Sequence, residues 1–350
     1  MDGGACACSV ATAVVCSVAM ASAYVGSLYV VPLRLRRLHR DNPAHIRARF
    51  VAVTAASLAS VALFALVSRG GRCFGASSGA GATVAIGGAL GLRRRRWWAA
   101  PVAGAALTAS LYAGPLSVMG FTFLSSVRLR GRGREGEFDG WGSWFDAAAS
   151  VGAEIWEERR AFYATPGAVE MSLRNLVVGP VSEELVFRAC MLPLLLEARV
   201  PAGRAIMTSP LFFGVAHLHH LRRRVRDDRV PWPEALAQTV FQLGYTTVFG
   251  VYTAFVFART GHLSAAIVCH AFCNYMGLPD LDFAARPEDL PWLSARERLA
   301  QVRLHRNAPK LFAAHALGVV LFSAALIPLT SPAYFESPFW PGHQGPAPAN

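Results

Sequence analysis

Charge is what this sequence has least of. Only 16% of its 350 residues are Asp, Glu, Lys or Arg, against about a quarter in an ordinary soluble domain. A water-soluble chain of this length would lack the charged surface that keeps it in solution. A disordered chain is excluded as well, because disorder needs low hydrophobicity and 53% of these residues are hydrophobic. Lysine is almost missing: Lys310 is the only one among 34 basic residues. Cysteine gives no disulfide framework. Its seven members are odd in number and form no CxxC pair; Cys6 and Cys8 lie close together in a tail, and Cys16, Cys73, Cys190, Cys269 and Cys273 sit in or beside apolar runs. They read as small buried hydrophobes or unbridged thiols. There is no HExxH, and no other spacing commits to zinc, so neither a metal nor another cofactor is expected. What these exclusions leave is a helical membrane protein, in keeping with a mean hydropathy of +0.35.

The formal charge of +12 is carried by arginine blocks between apolar runs, at Arg34 to Arg40, Arg93 to Arg96, Arg128 to Arg134, Arg222 to Arg226 and Arg296 to Arg306. Blocks at the ends of apolar segments suit contact with lipid headgroups, so membrane lipids rather than nucleic acid are the expected partners.

A membrane span needs on the order of 20 mostly apolar residues. Stretches of that kind run from Ser9 to Pro32, Val51 to Ser68, Trp97 to Leu124, Ser172 to Leu196, Ala205 to Leu221, Leu236 to Ala258, Leu263 to Leu278 and Leu311 to Leu329. Gly75 to Leu92 is a weaker ninth, rich in Gly, Ala and Ser. No basic region precedes the first stretch, which suits a retained helix rather than a cleaved signal. Residues 126–165 begin polar and Gly-rich, then place Trp141, Trp144, Phe145, Ile155 and Trp156 among charges. That pattern fits a loop followed by an amphipathic helix at the membrane surface, or a solvated loop. The expected fold is therefore all-α: a polytopic bundle of about eight transmembrane helices with a surface amphipathic helix. It is read as one integral membrane domain over 1–350, with N-terminal spans in 1–125, the polar segment 126–165, a core in 166–280, and a last loop, span and tail in 281–350.

Ionisable groups inside apolar segments cost roughly 2.5–3.5 kcal/mol each on insertion scales and mark function by default. The first three stretches and the weaker Gly75 to Leu92 have none in their interiors. The later ones hold three groups. Glu183, Glu184 and Arg188 lie in Gly-Pro-Val-Ser-Glu-Glu-Leu-Val-Phe-Arg. Glu184 and Arg188 are four apart and stack on one helical face, where they can neutralise each other. Adjacent carboxylates point about 100° apart, so both are not expected to face one partner, and Glu183 is left for another face. An uncompensated carboxylate in an apolar setting holds a proton more readily than in water, as a general base near neutral pH requires. The alternative is that both acids are structural ion-pair partners. His217, His219 and His220 close the run Phe-Phe-Gly-Val-Ala-His-Leu-His-His, His217 being the deepest. His270 and Asn274, four apart, align two neutral donors on one face, suited to an oxyanion or carbonyl, or to interhelical hydrogen bonding. His262 and His315 stand alone and read as structural.

A carboxylate, a histidine and a His/Asn donor pair from three separate spans supply what acyl hydrolysis by water needs: a base, an orienting group and oxyanion donors. In this order, Glu183-Glu184-x-x-x-Arg188, Phe213-x-x-x-His217 and His270-x-x-x-Asn274 resemble the type II CAAX prenyl protease family, the Ras-converting enzymes, and its eukaryotic branch in particular. The likeness covers about Ser172 to Leu278. It implies an endopeptidase of the endoplasmic reticulum membrane that removes the last three residues of prenylated CAAX proteins, small GTPases among them, and makes 166–280 the catalytic core. It implies that Glu183 activates water, His217 holds it, His270 and Asn274 form the oxyanion hole, and Glu184 and Arg188 support the site, without metal. Two other readings stay open: a membrane protease of the same superfamily acting on a non-prenylated substrate, and a proton-coupled transporter using Glu183, His217 and His270 as a relay.

Overall fold

The computed structural model of the chain describes residues 8–68, 86–131, 141–216, 219–226 and 228–340. Among these residues there is no strand, and the chain is all-α. Helix α1 spans Val10–Val30 and starts where Ser9 accepts a hydrogen bond from the Thr12 amide; α2 spans Pro43–Val67, capped by Asn42 with Pro43 in its first turn. Both caps occupy amides that a helix start leaves orphaned. Helices α3 (Ala99–Leu111) and α4 (Ala113–Gly131) meet at a 73° bend, and α5 follows over Trp141–Ala164.

The next helical run, α6, covers 168–197 and is irregular. Its α-turns Ala168–Leu173, Gly179–Glu184 and Met191–Glu197 are separated by π-turns at Arg174–Val178 and Leu185–Cys190. Beyond it come α7 (Ala202–Ala216), α8 (His219–Arg226), α9 (Trp232–Thr260), α10 (Leu263–Met276), α11 (Ala295–Arg306) and α12 (Ala308–Leu329). Gly261, in the left-handed region at φ 65°, closes α9, as such a cap favours. Ser294 and Glu297 form a reciprocal capping box on α11.

Helices α1, α2, α9 and α12 are long and apolar enough to cross a membrane, and the bent α3–α4 pair adds a fifth if it is one span. Their large apolar side chains point outward: Val15, Val51, Leu66, Val248 and Val320 are all more than half exposed. In water this would be an aggregation hazard; in a bilayer it is the normal outer surface. The chain is a multi-pass membrane protein. The remaining expected spans take other forms. Helix α7 is described over Ala202–Ala216, and α10 has 14 residues, only about 21 Å at 1.5 Å per residue against a core of about 30 Å. Most of Gly75 to Leu92 falls outside the described residues. The aromatic stretch after 140 does form a helix, α5, with only Ala147 and Val151 buried.

The described residues fall into two compact units, one from 1–105, 170–271 and 329–350, the other from 106–169 and 272–328. The core of the first gathers Met20, Phe64, Phe187, Met191, Leu192 and Phe257. The second has two small cores, Phe283 with Leu304 and Leu311, and Val127 with Ala147 and Val151.

Candidate active site

Four of the six singled-out residues come together inside the first unit. Helix α6 carries three of them, and its irregularity has a local cause. Pro180 has no amide hydrogen to give to the carbonyl four residues back. Gly179 instead donates to Arg174, five back, and a Cβ on Gly179 would sit 2.6 Å from that carbonyl oxygen. Proline and glycine together thus open the helix into a π-turn, a distortion that recurs at functional sites. Ser182 anchors the next turn, its hydroxyl donating to the Val178 carbonyl at 2.6 Å and lying 2.8 Å from the Tyr24 hydroxyl of α1. Tyr24 also meets the Phe187 ring edge-on at 5.6 Å.

Glu184 and Arg188 pair as their spacing implies: Nη1 of Arg188 is 3.2 Å from Oε1 of Glu184, with side chains 1% and 0% exposed. Room for the guanidinium comes from α9, where a Cβ on Gly250 would lie 3.1 Å from Nη2 of Arg188 and 2.6 Å from Pro210 Cβ of α7. The same Glu184 oxygen accepts from Nδ1 of His270 on α10 at 2.7 Å. The other ring nitrogen, Nε2, faces Glu183 Oε2 at 3.8 Å, and Glu183 keeps a quarter of its side chain exposed. The edge of Phe249 closes one side of the imidazole, with ring centroids 5.0 Å apart.

This arrangement corrects the expectation that the two adjacent carboxylates cannot share a partner. The 100° between them is real, but an imidazole offers two nitrogens on different edges, and His270 takes Glu184 with one and turns the other to Glu183. The result is a continuous polar chain, Arg188–Glu184–His270–Glu183, closed at the guanidinium end and accessible at Glu183. A carboxylate hydrogen-bonded to one ring nitrogen fixes the orientation of the other, so Glu184 aims Nε2 at the open end. Such a chain can place a base beside a donor in a setting with little water, where electrostatic effects are large.

Asn274 lies one turn beyond His270 on α10 and is exposed. His217 lies outside the described residues, as does the side chain of Phe213. The isolated histidines are structural: His262 is buried with its ring nitrogens 2.6 Å from the Thr260 carbonyl and 2.8 Å from that of Arg95, and His315 lies 2.8 Å from the Leu311 carbonyl. Among the described residues there is no disulfide. Cys269 sits beside the Tyr252 hydroxyl at 3.3 Å and Gly104 O at 3.5 Å, holding α10 to α9 and α3. Sequence reasoning missed Tyr24, Phe249 and Gly250, which shape the site without carrying charge; no local signal marks them.

A family model described as "Type II CAAX prenyl endopeptidase Rce1-like" matches residues 165–276. Proteins named CAAX prenyl protease 2 are similar over various lengths. That of Arabidopsis thaliana is 34% identical over 96% of this chain and 96% of its own length. That of Homo sapiens is 44% identical over 165 residues, 47% of this chain and 44% of that protein, so the match spans under half of the human relative. A probable CAAX prenyl protease 2 of Schizosaccharomyces pombe is 44% identical over 108 residues, 31% of this chain and 40% of its own. No solved structure matches the chain.

Proposed function

The chain belongs to the type II CAAX prenyl endopeptidase family, and from that premise we propose a metal-independent, glutamate-type hydrolysis that removes the last three residues of prenylated CAAX proteins. The prenylated ends of small GTPases are the substrates that fit this reading, and the endoplasmic reticulum membrane is its location. The observation that carries the mechanism is the polar chain from buried Arg188 through Glu184 and His270 to accessible Glu183.

In this reading Glu183 takes a proton from a water held by His217. The hydroxide oxygen bonds to the carbonyl carbon of the prenylated cysteine, and the carbonyl oxygen becomes an oxyanion. His270 Nε2–H and Asn274 Nδ2–H donate to it. Because Nδ1 of His270 already donates to Glu184, a ring that donates from both nitrogens carries a positive charge, which the Glu183 carboxylate balances before proton transfer and the oxyanion balances after it. Collapse of the tetrahedral intermediate breaks the C–N bond, and Glu183 returns its proton to the departing amine of the tripeptide. The prenyl chain supplies binding energy through burial, at about 0.8 kcal/mol per CH₂, so a site within the membrane suits a lipidated substrate.

The test is to incubate the protein in proteoliposomes with a farnesylated CAAX peptide and its unprenylated twin, and to detect the released tripeptide by mass spectrometry. Release from the prenylated peptide alone is expected. No release, or equal release from both, would overturn the assignment.

A further inference from the structure

Outside the catalytic chain, the first unit gathers four arginines that lie far apart in sequence. Arg40 comes from the connection between α1 and α2, Arg49 from α2, Arg174 from the first π-turn of α6 and Arg223 from α8. Arg174 and Arg40 share Asp41, and the charges of Arg174 and Arg223 act on both Arg40 and Arg49, with that of Arg40 acting on Arg49 as well. Two acids oppose them. Asp41 is 2.7 Å from Nη1 of Arg174, 3.4 Å from Nε of Arg40 and 3.7 Å from the His39 ring, while Asp228 is 3.5 Å from Arg223. Among the described residues, four guanidiniums against these two carboxylates leave two positive charges in excess. Moreover, among the described residues the Nε of Arg49 is buried with no hydrogen-bond acceptor, and that of Arg40 has its 3.4 Å ion pair but no hydrogen bond. Gathering like charges and leaving donors unmet both cost energy, and a planar anion with two oxygens would remove both costs.

We propose that Arg40, Arg49, Arg174 and Arg223 receive the free α-carboxylate at the end of the CAAX tail, so that the enzyme measures the three residues beyond the scissile bond from their terminus. The inference rests on the reading of the chain as a CAAX endopeptidase and identifies what sets the length of the released peptide. Distance supports it. Arg174 lies nine residues before Glu183 on one helix, about 13 Å at 1.5 Å per residue. An extended tripeptide reaches about 10 Å, and an arginine side chain bridges the remainder. The cluster is less exposed than arginines held by a single glutamate: the side chains of Arg174, Arg223 and Arg40 are 21%, 33% and 42% exposed, whereas those of Arg47 and Arg95, paired with Glu170 and Glu336, are 68% and 65% exposed. A carboxylate delivered by the substrate fits the half-buried cluster better than a phospholipid phosphate does.

The experiment compares a farnesylated CAAX peptide ending in a carboxylate with the same peptide ending in an amide, in proteoliposomes of zwitterionic lipid and of lipid with an anionic fraction. The native enzyme is expected to prefer the acid by roughly ten- to a hundredfold in kcat/KM, the scale of one or two charged hydrogen bonds. In Arg174→Gln and in Arg49→Gln the loss should fall on the acid peptide, bringing the ratio toward one. Arg49→Gln leaves the Arg174–Asp41 pair intact and reads the same ratio if Arg174→Gln does not accumulate. Native enzyme that cleaves both peptides equally well would overturn this inference alone; native enzyme that cleaves neither would overturn the CAAX reading itself. Variants that lose both peptides in parallel would make the cluster structural. Variants whose acid-to-amide ratio stays native while activity follows the anionic lipid fraction would assign it to a headgroup. Either result overturns the proposal.

Discussion

Replacing Glu184 by glutamine separates the two tasks that the geometry gives to this carboxylate. It neutralises Arg188, and it holds His270 through Nδ1, all at full burial. Glutamine keeps the shape but removes the charge, taking from a guanidinium 1% exposed the carboxylate that lies 3.2 Å from it. Breaking such a pair costs about 3–5 kcal/mol, which corresponds to a fall in melting temperature on the order of 5–10 °C. The double variant Glu184→Gln/Arg188→Met removes the stranded charge as well, and methionine fits beside Gly250, where the guanidinium now lies. It should recover most of the lost stability. It should not recover activity, because His270 still lacks its carboxylate; a deficit of about 10²–10³ in kcat is expected, the scale of one misplaced oxyanion donor. The measurements are thermal unfolding in detergent and turnover of a farnesylated peptide. If the double variant regains turnover together with stability, Glu184 merely neutralises Arg188, and the orientation argument fails.

Other consequences can be checked with the same tools. Asn274→Ala should lose roughly 2.7–4 kcal/mol of transition-state stabilisation, read as kcat/KM; unchanged turnover would reduce Asn274 to packing. Gly250→Ala puts a Cβ 2.6 Å from Pro210 and 3.1 Å from Arg188, so it should cost about 1–3 kcal/mol of stability and lower activity with it; a melting temperature equal to the native one would contradict the packing. Prolonged treatment with a zinc chelator should leave turnover unchanged, whereas inhibition reversed by added zinc would replace the glutamate mechanism with a metal one.

Much of this was legible in the sequence, and the reasons are local. Low charge with long apolar runs identified a helical membrane protein, because composition alone fixes the solvent that a chain can tolerate. The Glu184–Arg188 pair followed from i,i+4 spacing and is found at 3.2 Å. What could not be read depends on contacts distant in sequence. His270 is 86 residues from Glu184, and no spacing rule shows that one ring would meet both carboxylates. The first π-turn of α6 stems from Gly179 and Pro180, whose combined effect on helix phase is invisible to a period-of-3.6 reading. The arginine blocks read alike as headgroup contacts, yet Arg40 and Arg223, from two of them, act together with Arg49 and Arg174, which belong to none, while Arg95, from a third, is 65% exposed and pairs with Glu336. His217 falls outside the described residues, so its part in holding the water stays with the proposal.

The most direct measurement is the turnover of Glu183→Gln, membrane-inserted and shown to bind a farnesylated CAAX peptide. With the sole accessible carboxylate of the polar chain made neutral, the water loses its base, and tripeptide release should fall to background while peptide binding persists. Release within about tenfold of the native rate, less than the 10²–10⁴ that general-base catalysis usually contributes, would mean that the proton goes elsewhere and that Glu183 is not the group that activates water.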